Sequence, residues 1–413
     1  MATVKPLRAI RPKNNETAEQ IAELPYDVMS SEEARIIAAD NPLSFLHVDK
    51  AEIDLSPSVD IYDPVVYAKA KENFDSLISG GALIRDPDAA FYVYRLTMGG
   101  RSQAGIVGCA SADDYLENRI KKHEFTRADK EEDRVRHVDT LNANTGPIFL
   151  AHRPNAALSD LTASIIAAAA PIYDFEKDGG VRHEVWKVTD PADNEQIAEL
   201  FRSIDALYIA DGHHRCASAA RVAKMRREAN PGYTGDEEFN YFLAVIFPSD
   251  QLAIMDYNRL VRDLNGLDPE SFEAKVLEKF EVRQPAFTKR PERRHEFGLY
   301  MGDRWQTLRI REEFVDENDP VARLDVSLLQ ENLLGPILGI EDPRTDKRID
   351  FAGGIRGLEY LEERAGRDCR LAFAMYPTSM EELMDIADAG KVMPPKSTWF
   401  EPKLLSGLFS HSL

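Results

Sequence analysis

A mixed α/β (α+β) fold, with a central mixed sheet flanked by helices and a smaller C-terminal α+β unit, is what this sequence predicts. Three observations predict it. Apolar runs of strand length alternate with segments of helical periodicity along most of the chain. The run Ala206 to Ala210 passes through the glycine turn Asp211-Gly212-His213-His214-Arg215 straight into an alanine-rich helix. And at 413 residues the chain exceeds the usual size of one hydrophobic core, so it divides. The expected units are residues 1–262, carrying the turn, and 263–413, whose Lys-Ser-Thr loop is a candidate to return to the site.

Taken in order, Val4 to Arg11 reads as a short extended entry, and Glu16 to Leu24 has helical periodicity that Pro25 stops. Ser30 or Ser31 caps a helix carrying Glu32, Glu33 and Arg35, and Asn41-Pro42 ends it. Ser44 to Val48 reads as a strand. Asp27 and His47 lie at element ends, where a turn or cap role is the first expectation. Val66, Tyr67, Ala70, Phe74 and Leu77 mark a helix from Asp63 to Gly80. Ala90 to Met98 and Gln103 to Ala110 form strands joined by Gly99-Gly100, a hairpin signal.

The segment from Ser111 to Asp139 starts as a helix and is dominated by charges of both signs. One reading is a solvated helix with i,i+4 pairs. The other brings Lys122, His123 and Glu124 together with Lys130, Asp133 and Arg134 at a phosphate or metal site. Since His123 and Glu124 are adjacent, both serve one site only if the chain bends there.

Ile148 to Leu150 is an apolar run, Leu161 to Ala170 a small-residue helix, Val181 to Val188 a strand, and Asp190 to Arg202 an amphipathic helix capped by Asp190. The turn follows, then a helix to Ala229. Asn240 to Pro248 and Leu252 to Arg259 are further strands. In the second unit a helix runs through Phe272 and Leu277, and a hairpin spans Glu296 to Arg309 with its turn at Gly302-Asp303. A helix from Val321 to Leu334, strands at Asp346 to Phe351 and Leu371 to Tyr376, and a helix from Met380 to Ala389 complete it.

The bulk properties narrow the function. A net charge of −20 argues against a general nucleic-acid or anionic-membrane binder, whose affinity comes from Lys and Arg. No apolar run approaches bilayer length, the start has no secretory h-region, and Cys109, Cys216 and Cys369 lie far apart, which suggests a reducing compartment. A cytoplasmic protein with a small-molecule substrate is the expectation; oligomeric state leaves no mark in the sequence.

The turn holds the chemistry. A helix N-terminus after a strand offers free N–H groups and a dipole to an anion, and Arg215 adds a fork suited to phosphate. In one reading Gly212, His214 and Arg215, with Lys122, His123, Arg134 and Lys396 as further cofactor-binding candidates, hold ATP or ADP. Glu124, Asp211 and His213 then serve as catalytic candidates. In another, Asp211, His213, His214 and either His123 or Glu124 ligate a divalent metal that activates water, a set that needs a bend because adjacent histidines seldom face one metal. Asp211 and Glu124 are the metal-ligand candidates, with Mg2+ the expected ion beside a nucleotide. The P-loop, zincin and hydrolase-elbow signatures are absent.

Pro25-Tyr26-Asp27-Val28, Asn41-Pro42-x-Ser44-Phe45-Leu46-His47-Val48, Lys122-His123-Glu124-x-Thr126, Ala210 to Arg215 and Met393 to Lys403 together resemble the signature blocks of the bacterial family called domain of unknown function 1015. The turn is also similar to the nucleotide-phosphate turn of the ParB and sulfiredoxin superfamily, which includes free-serine kinases. That likeness implies phosphate binding by Gly212, His214 and Arg215, with Asp211 beside them. It licenses no catalytic carboxylate, and Cys216 lies one residue past Arg215, off the sulfiredoxin pattern. The expected activity is nucleotide-dependent phosphorylation of a small hydroxylated metabolite, with free serine the first candidate. A non-catalytic nucleotide sensor and a metal-dependent hydrolase are the alternatives.

Overall fold

The computed structural model describes residues 1–177, 179–283 and 288–413. Its contacts divide the chain into Met1–Leu252 with Pro402–Leu413, and Ala253–Glu401. The last residues join the first unit through backbone pairs. Glu23 pairs with Ser406 and Ile10 with Ser410, and His411–Ser412 pairs with Ala143–Asn144.

The first unit is built on a nine-stranded mixed sheet. Its strands are β1 (Val4–Lys5), β2 (Tyr92–Met98), β3 (Arg101–Ser111), β4 (Ile120–Lys121), β5 (Ile148–His152), β6 (Tyr173–Lys177), β7 (Val181–Lys187), β8 (Leu207–Asp211) and β9 (Tyr241–Pro248). They lie in the order β4-β8-β5-β9-β3-β2-β7-β6, with β1 on β3. β8 runs parallel to β4 and antiparallel to β5; β5 and β9 are parallel. Burial on both faces explains why β5, β8 and β9 read as continuous apolar runs rather than alternating ones. Leu150, Ile209 and Ile246 from these strands meet Leu158, Ile165, Phe201, Cys216 and Ala219 from the covering helices in one buried cluster.

Several elements form where local chemistry dictates. Ser30 and Glu33 make a reciprocal capping box ahead of the helix Ser31–Ala38. Asp63 and Asp190 cap Pro64–Ser79 and Pro191–Arg202, each with proline in the first turn.

Other stretches depart from the sequence expectation. Ser44 to Val48 is helical, not a strand: Leu46–Asp49 is a short helix in which the Ser44 hydroxyl accepts from the Leu46 N–H at 3.3 Å. Phe45, Leu46 and Val48 are all buried, and a short run buried all round has no period to separate strand from helix. The helix begun at Ser111 stops at Leu116. Asn118 then takes φ 59°, β4 pairs with β8, and a new helix runs Ala128–Leu141. The expected single strand over 252–259 is two, Ile254–Met255 and Tyr257–Val261. Of the two residues that mark the helix after Asp268, Phe272 is buried and Leu277 is 50% exposed.

The second unit carries a six-stranded sheet of β10 (Tyr257–Val261), β11 (Phe280–Arg283), β12 (Glu296–Met301), β13 (Arg304–Ile310), β14 (Ile349–Gly353) and β15 (Leu371–Ala374), ordered β11-β13-β12-β15-β10-β14. The hairpin turns at Gly302-Asp303 as its sequence predicts. The expected helix 321–334 starts only at Asp325, because Asp319 caps the N–H groups of Val321 and Ala322 in turns. It widens at Gln330–Leu334, where the Gln330 carbonyl accepts from Gly335 at 2.9 Å. The helix Gly357–Arg367 carries no signal that sequence reading picked out.

Candidate functional site

The turn is a strand end feeding a helix. β8 ends at Asp211, Gly212 takes φ 92° and ψ 33°, and the helix His213–Ala229 begins at once with no side chain capping it. Only glycine adopts that conformation without strain, and a Cβ there would sit 3.1 Å from Arg215 Nε. Ala217, Ser218, Ala219 and Ala220 are buried, so their small size lets the helix lie close on the sheet.

Asp211 is held on both oxygens. Oδ1 accepts from the Gly212 N–H at 2.7 Å, and Oδ2 pairs with Lys403 Nζ at 2.9 Å. Burial works to raise this carboxyl, but Lys403 and then Arg215 override it and hold it well below the usual carboxylate range. Arg215 folds back beneath the turn. Nη1 donates to the Pro147 carbonyl, while Nε is buried with no hydrogen-bond partner among the described residues. Burial opposes its charge; Asp27, Asp211 and Tyr26 more than offset that.

The loop 122–127 bends as the site requires. His123 points inward, 2% exposed, and its ring meets that of His213 edge to face with centroids 4.5 Å apart. Glu124 points outward, with Oε2 3.9 Å from His213 Nδ1. Burial pushes His123 down to about 4. Burial and the neighbouring His123 hold His213 well below the usual histidine range, so both rings are neutral at pH 7. His123 Nδ1 and His213 Nε2 have no hydrogen-bond partner among the described residues. His214 Nε2 accepts from the Arg127 N–H at 3.0 Å, which ties this loop to the helix. Lys122 is exposed, its Nζ 5.3 Å from the centre of the Tyr115 ring.

Arg134 comes from the helix Ala128–Leu141, which packs on the site helix through Val135, Val138 and Val222. Its Nη2 pairs with Asp133 at 2.8 Å and its guanidinium lies 4.1 Å from the Tyr26 ring centre. Arg134 and Arg215 line one small cavity together with Tyr26, Asp49, Thr145 and Ser218. Asp49 accepts from the Thr145 hydroxyl at 2.9 Å.

Asp211, Gly212, His213, His214, Arg215, His123 and Glu124 therefore meet at one turn, with Lys122 at its edge and Arg134 sharing the cavity. Lys396 belongs to the second unit. Sequence reading missed Lys403, Tyr26 and Asp49. Lys403 and Tyr26 stand in the family blocks, whereas Asp49 is marked only as a lone acid after an apolar stretch. Among the described residues no group of three or more His, Cys, Asp or Glu side chains is placed to hold a metal ion, and no helix is long and apolar enough to cross a membrane.

The model of the family DUF1015, described as a protein of unknown function, matches residues 4–327. No curated protein matches the chain. Among solved structures, a free serine kinase in complex with AMP is 14% identical, aligned over 72% of this chain and 86% of that chain at a TM-score of 0.36. A conserved hypothetical protein from Pyrococcus furiosus is 13% identical over 74% and 94% at 0.36. SbnI with a C-terminal truncation, from Staphylococcus aureus, is 11% identical over 73% and 85% at 0.37. Likeness at that level leaves function to be read from the chain's own residues.

Proposed function

We infer the function of this chain, which belongs to the DUF1015 family, from its own site, and propose a nucleotide-dependent phosphotransferase acting on a small hydroxylated metabolite. One observation carries the reading. An uncapped helix N-terminus lies beside the Arg215 guanidinium, whose buried Nε has no hydrogen-bond partner among the described residues, and such a pairing suits an anion with several oxygens. A nucleotide's phosphates fit that demand. The resemblance of the turn to that of free-serine kinases makes free serine the first acceptor to try.

In this reading the first-turn N–H groups, Arg215 and His214 hold the phosphates of ATP or ADP, and Lys122 and Arg134 add positive charge beside them. The acceptor's hydroxyl oxygen attacks the terminal phosphorus. The new P–O bond forms as the bridging P–O bond breaks, its electron pair leaves with the nucleotide, and the hydroxyl proton passes to the Glu124 carboxylate. Mg2+, when bound, neutralises phosphate charge; one or two carboxylates plus phosphates suffice to hold it. Glu124 and Asp211 are the carboxylates at hand, Asp211 only by giving up Lys403.

A thermal-shift titration with ATP or ADP and magnesium tests the reading, since a ligand that binds only the folded state raises the midpoint. Arg215→Ala is expected to remain cooperatively folded and to lose both that shift and turnover. Full activity in the variant sinks the proposal. A nucleotide sensor is the second reading, favoured by the state of two groups: Asp211 is ionised and paired, and His213 is kept neutral, so neither is poised to move a proton. A sensor binds nucleotide without consuming it.

A further inference from the structure

The second unit buries a positive charge that no described residue in it neutralises. Arg259 sits in β10, opposite Phe351 of β14 and Phe373 of β15, and is 3% exposed. Its Nη1 donates to the Tyr257 carbonyl and its Nη2 to the Lys396 carbonyl at 3.1 Å. The remaining N–H groups of the fork, Nε included, meet no acceptor among the described residues. The guanidinium carbon lies 5.5 Å from the Phe351 ring centre.

The acids close in sequence are committed elsewhere. Asp256 takes Arg290 at 2.8 Å and the Asn258 amide at 2.6 Å, and Asp350 takes Arg364 at 2.9 Å. An arginine cannot escape burial by losing its proton. A buried ion without a counter-charge is destabilising. Burial pulls Arg259 down to about 10, a cost that an arriving anion would relieve.

The loop over this arginine is the Met-Pro-Pro-Lys-Ser-Thr-Trp-Phe block that the phosphotransfer reading leaves unused. Lys396 takes φ 60°, which turns its carbonyl toward Arg259. Its exposed ammonium lies 5.5 Å from the Tyr257 ring centre and forms no ion pair among the described residues. The loop is fixed in place. Ser397 Oγ donates to the Pro394 carbonyl at 2.6 Å, and Thr378 Oγ1 donates to the Ser397 carbonyl at 3.1 Å. Trp399 packs edge-on against Tyr257 at 5.2 Å and lies on Gly353, where a Cβ would come within 2.7 Å of the indole.

We propose that this unit carries a second ligand site, in which Arg259 and Lys396 receive the phosphate group of a small phosphorylated molecule. Two cations call for more than one negative charge. A carboxylate supplies one, whereas a phosphate monoester carries about −1.5 to −2 at pH 7 with three strong acceptor oxygens. A guanidinium fork with unused N–H groups matches those oxygens, and the exposed ammonium of Lys396 meets the remaining charge. The site is independent of the turn in the first unit, so either stands if the other fails.

The test uses the full chain carrying Arg215→Ala, which silences the turn, titrated calorimetrically with inorganic phosphate at fixed ionic strength. Saturable binding is expected, weakened at least tenfold by adding Lys396→Ala with the thermal midpoint unchanged. Arg259→Met is expected to abolish the phosphate-induced rise in midpoint while raising the phosphate-free midpoint, because it removes an unpaired buried charge. A merely structural clamp would lower that midpoint instead, and that result overturns the proposal. So does the absence of saturable binding, an affinity indifferent to Lys396→Ala, or acetate binding as tightly as phosphate.

Discussion

Replacing Lys403 by methionine probes how the turn is held together, because it removes the charge on Asp211 Oδ2 while keeping most of the side-chain volume. Lys403 is 10% exposed and Asp211 29% exposed, so the pair lies between a surface bridge and a fully buried one. Removing one partner of a buried pair costs about 3–5 kcal/mol. The remaining exposure and the nearby Arg215 reduce that to about 2 kcal/mol here. For a domain of this size about 2–4 °C of midpoint follows each kcal/mol, so a fall of about 4–8 °C is expected at pH 7. The pH dependence has a definite sign. Asp211 is held below its unfolded value of about 3.9, so its contribution is fully present above that value and is lost as pH falls toward the folded one. Thermal unfolding of both proteins from pH 8 to 3 should therefore show a gap that is constant down to about pH 5 and narrows below about pH 4. Equal midpoints at pH 7, or a gap that widens in acid, refute the reasoning.

Three further perturbations have definite outcomes. His123 is pushed down to about 4 by burial, so the unfolded chain binds its proton first and stability falls as pH drops from about 6.5 toward 4, by up to about 1.4 kcal/mol per pH unit for this group. His123→Phe should flatten that part of the profile, and urea unfolding at pH 4.5 to 6.5 will show an unchanged slope if the burial argument is wrong. Gly212→Ala forces a side chain into φ 92° and against Arg215 Nε. A loss of about 1–3 kcal/mol is expected, together with loss of the nucleotide-induced thermal shift, and retention of both stability and shift would contradict it. Glu124→Gln should lower turnover about 10²–10⁴-fold with affinity for magnesium-free nucleotide unchanged; loss of that affinity would assign Glu124 to phosphate binding instead.

The parts legible in the sequence were those with strong local rules. The turn announced itself because Gly212 interrupts an apolar strand and a small-residue helix, and the hairpin because of its Gly302-Asp303 turn. Asp190 marked its helix by capping chemistry, and the spacing of Val66, Tyr67, Ala70, Phe74 and Leu77 marked the helix after Asp63. Illegible were elements decided by partners distant in the chain. Leu46–Asp49 is helical because its apolar side chains are buried all round, and β4 exists only because Ile120 and Lys121 find Leu207 and Tyr208. The same divide runs through the site. Asp211 to Arg215 could be read directly, and the bend at His123 and Glu124 was a condition the sequence stated and the fold met. Lys403 lies 192 residues from its partner Asp211, and no spacing rule connects them.

The most direct test of phosphotransfer follows the terminal phosphoryl group itself. Full-length protein is incubated with magnesium and ATP or ADP, with free serine and then a pool of hydroxylated metabolites, and phosphorus NMR records donor and product. The account predicts a new phosphate-ester signal that grows in step with the dephosphorylated nucleotide, needs the acceptor, and vanishes with Arg215→Ala. Nucleotide that binds yet stays intact with every acceptor, or turnover that survives Arg215→Ala, contradicts it.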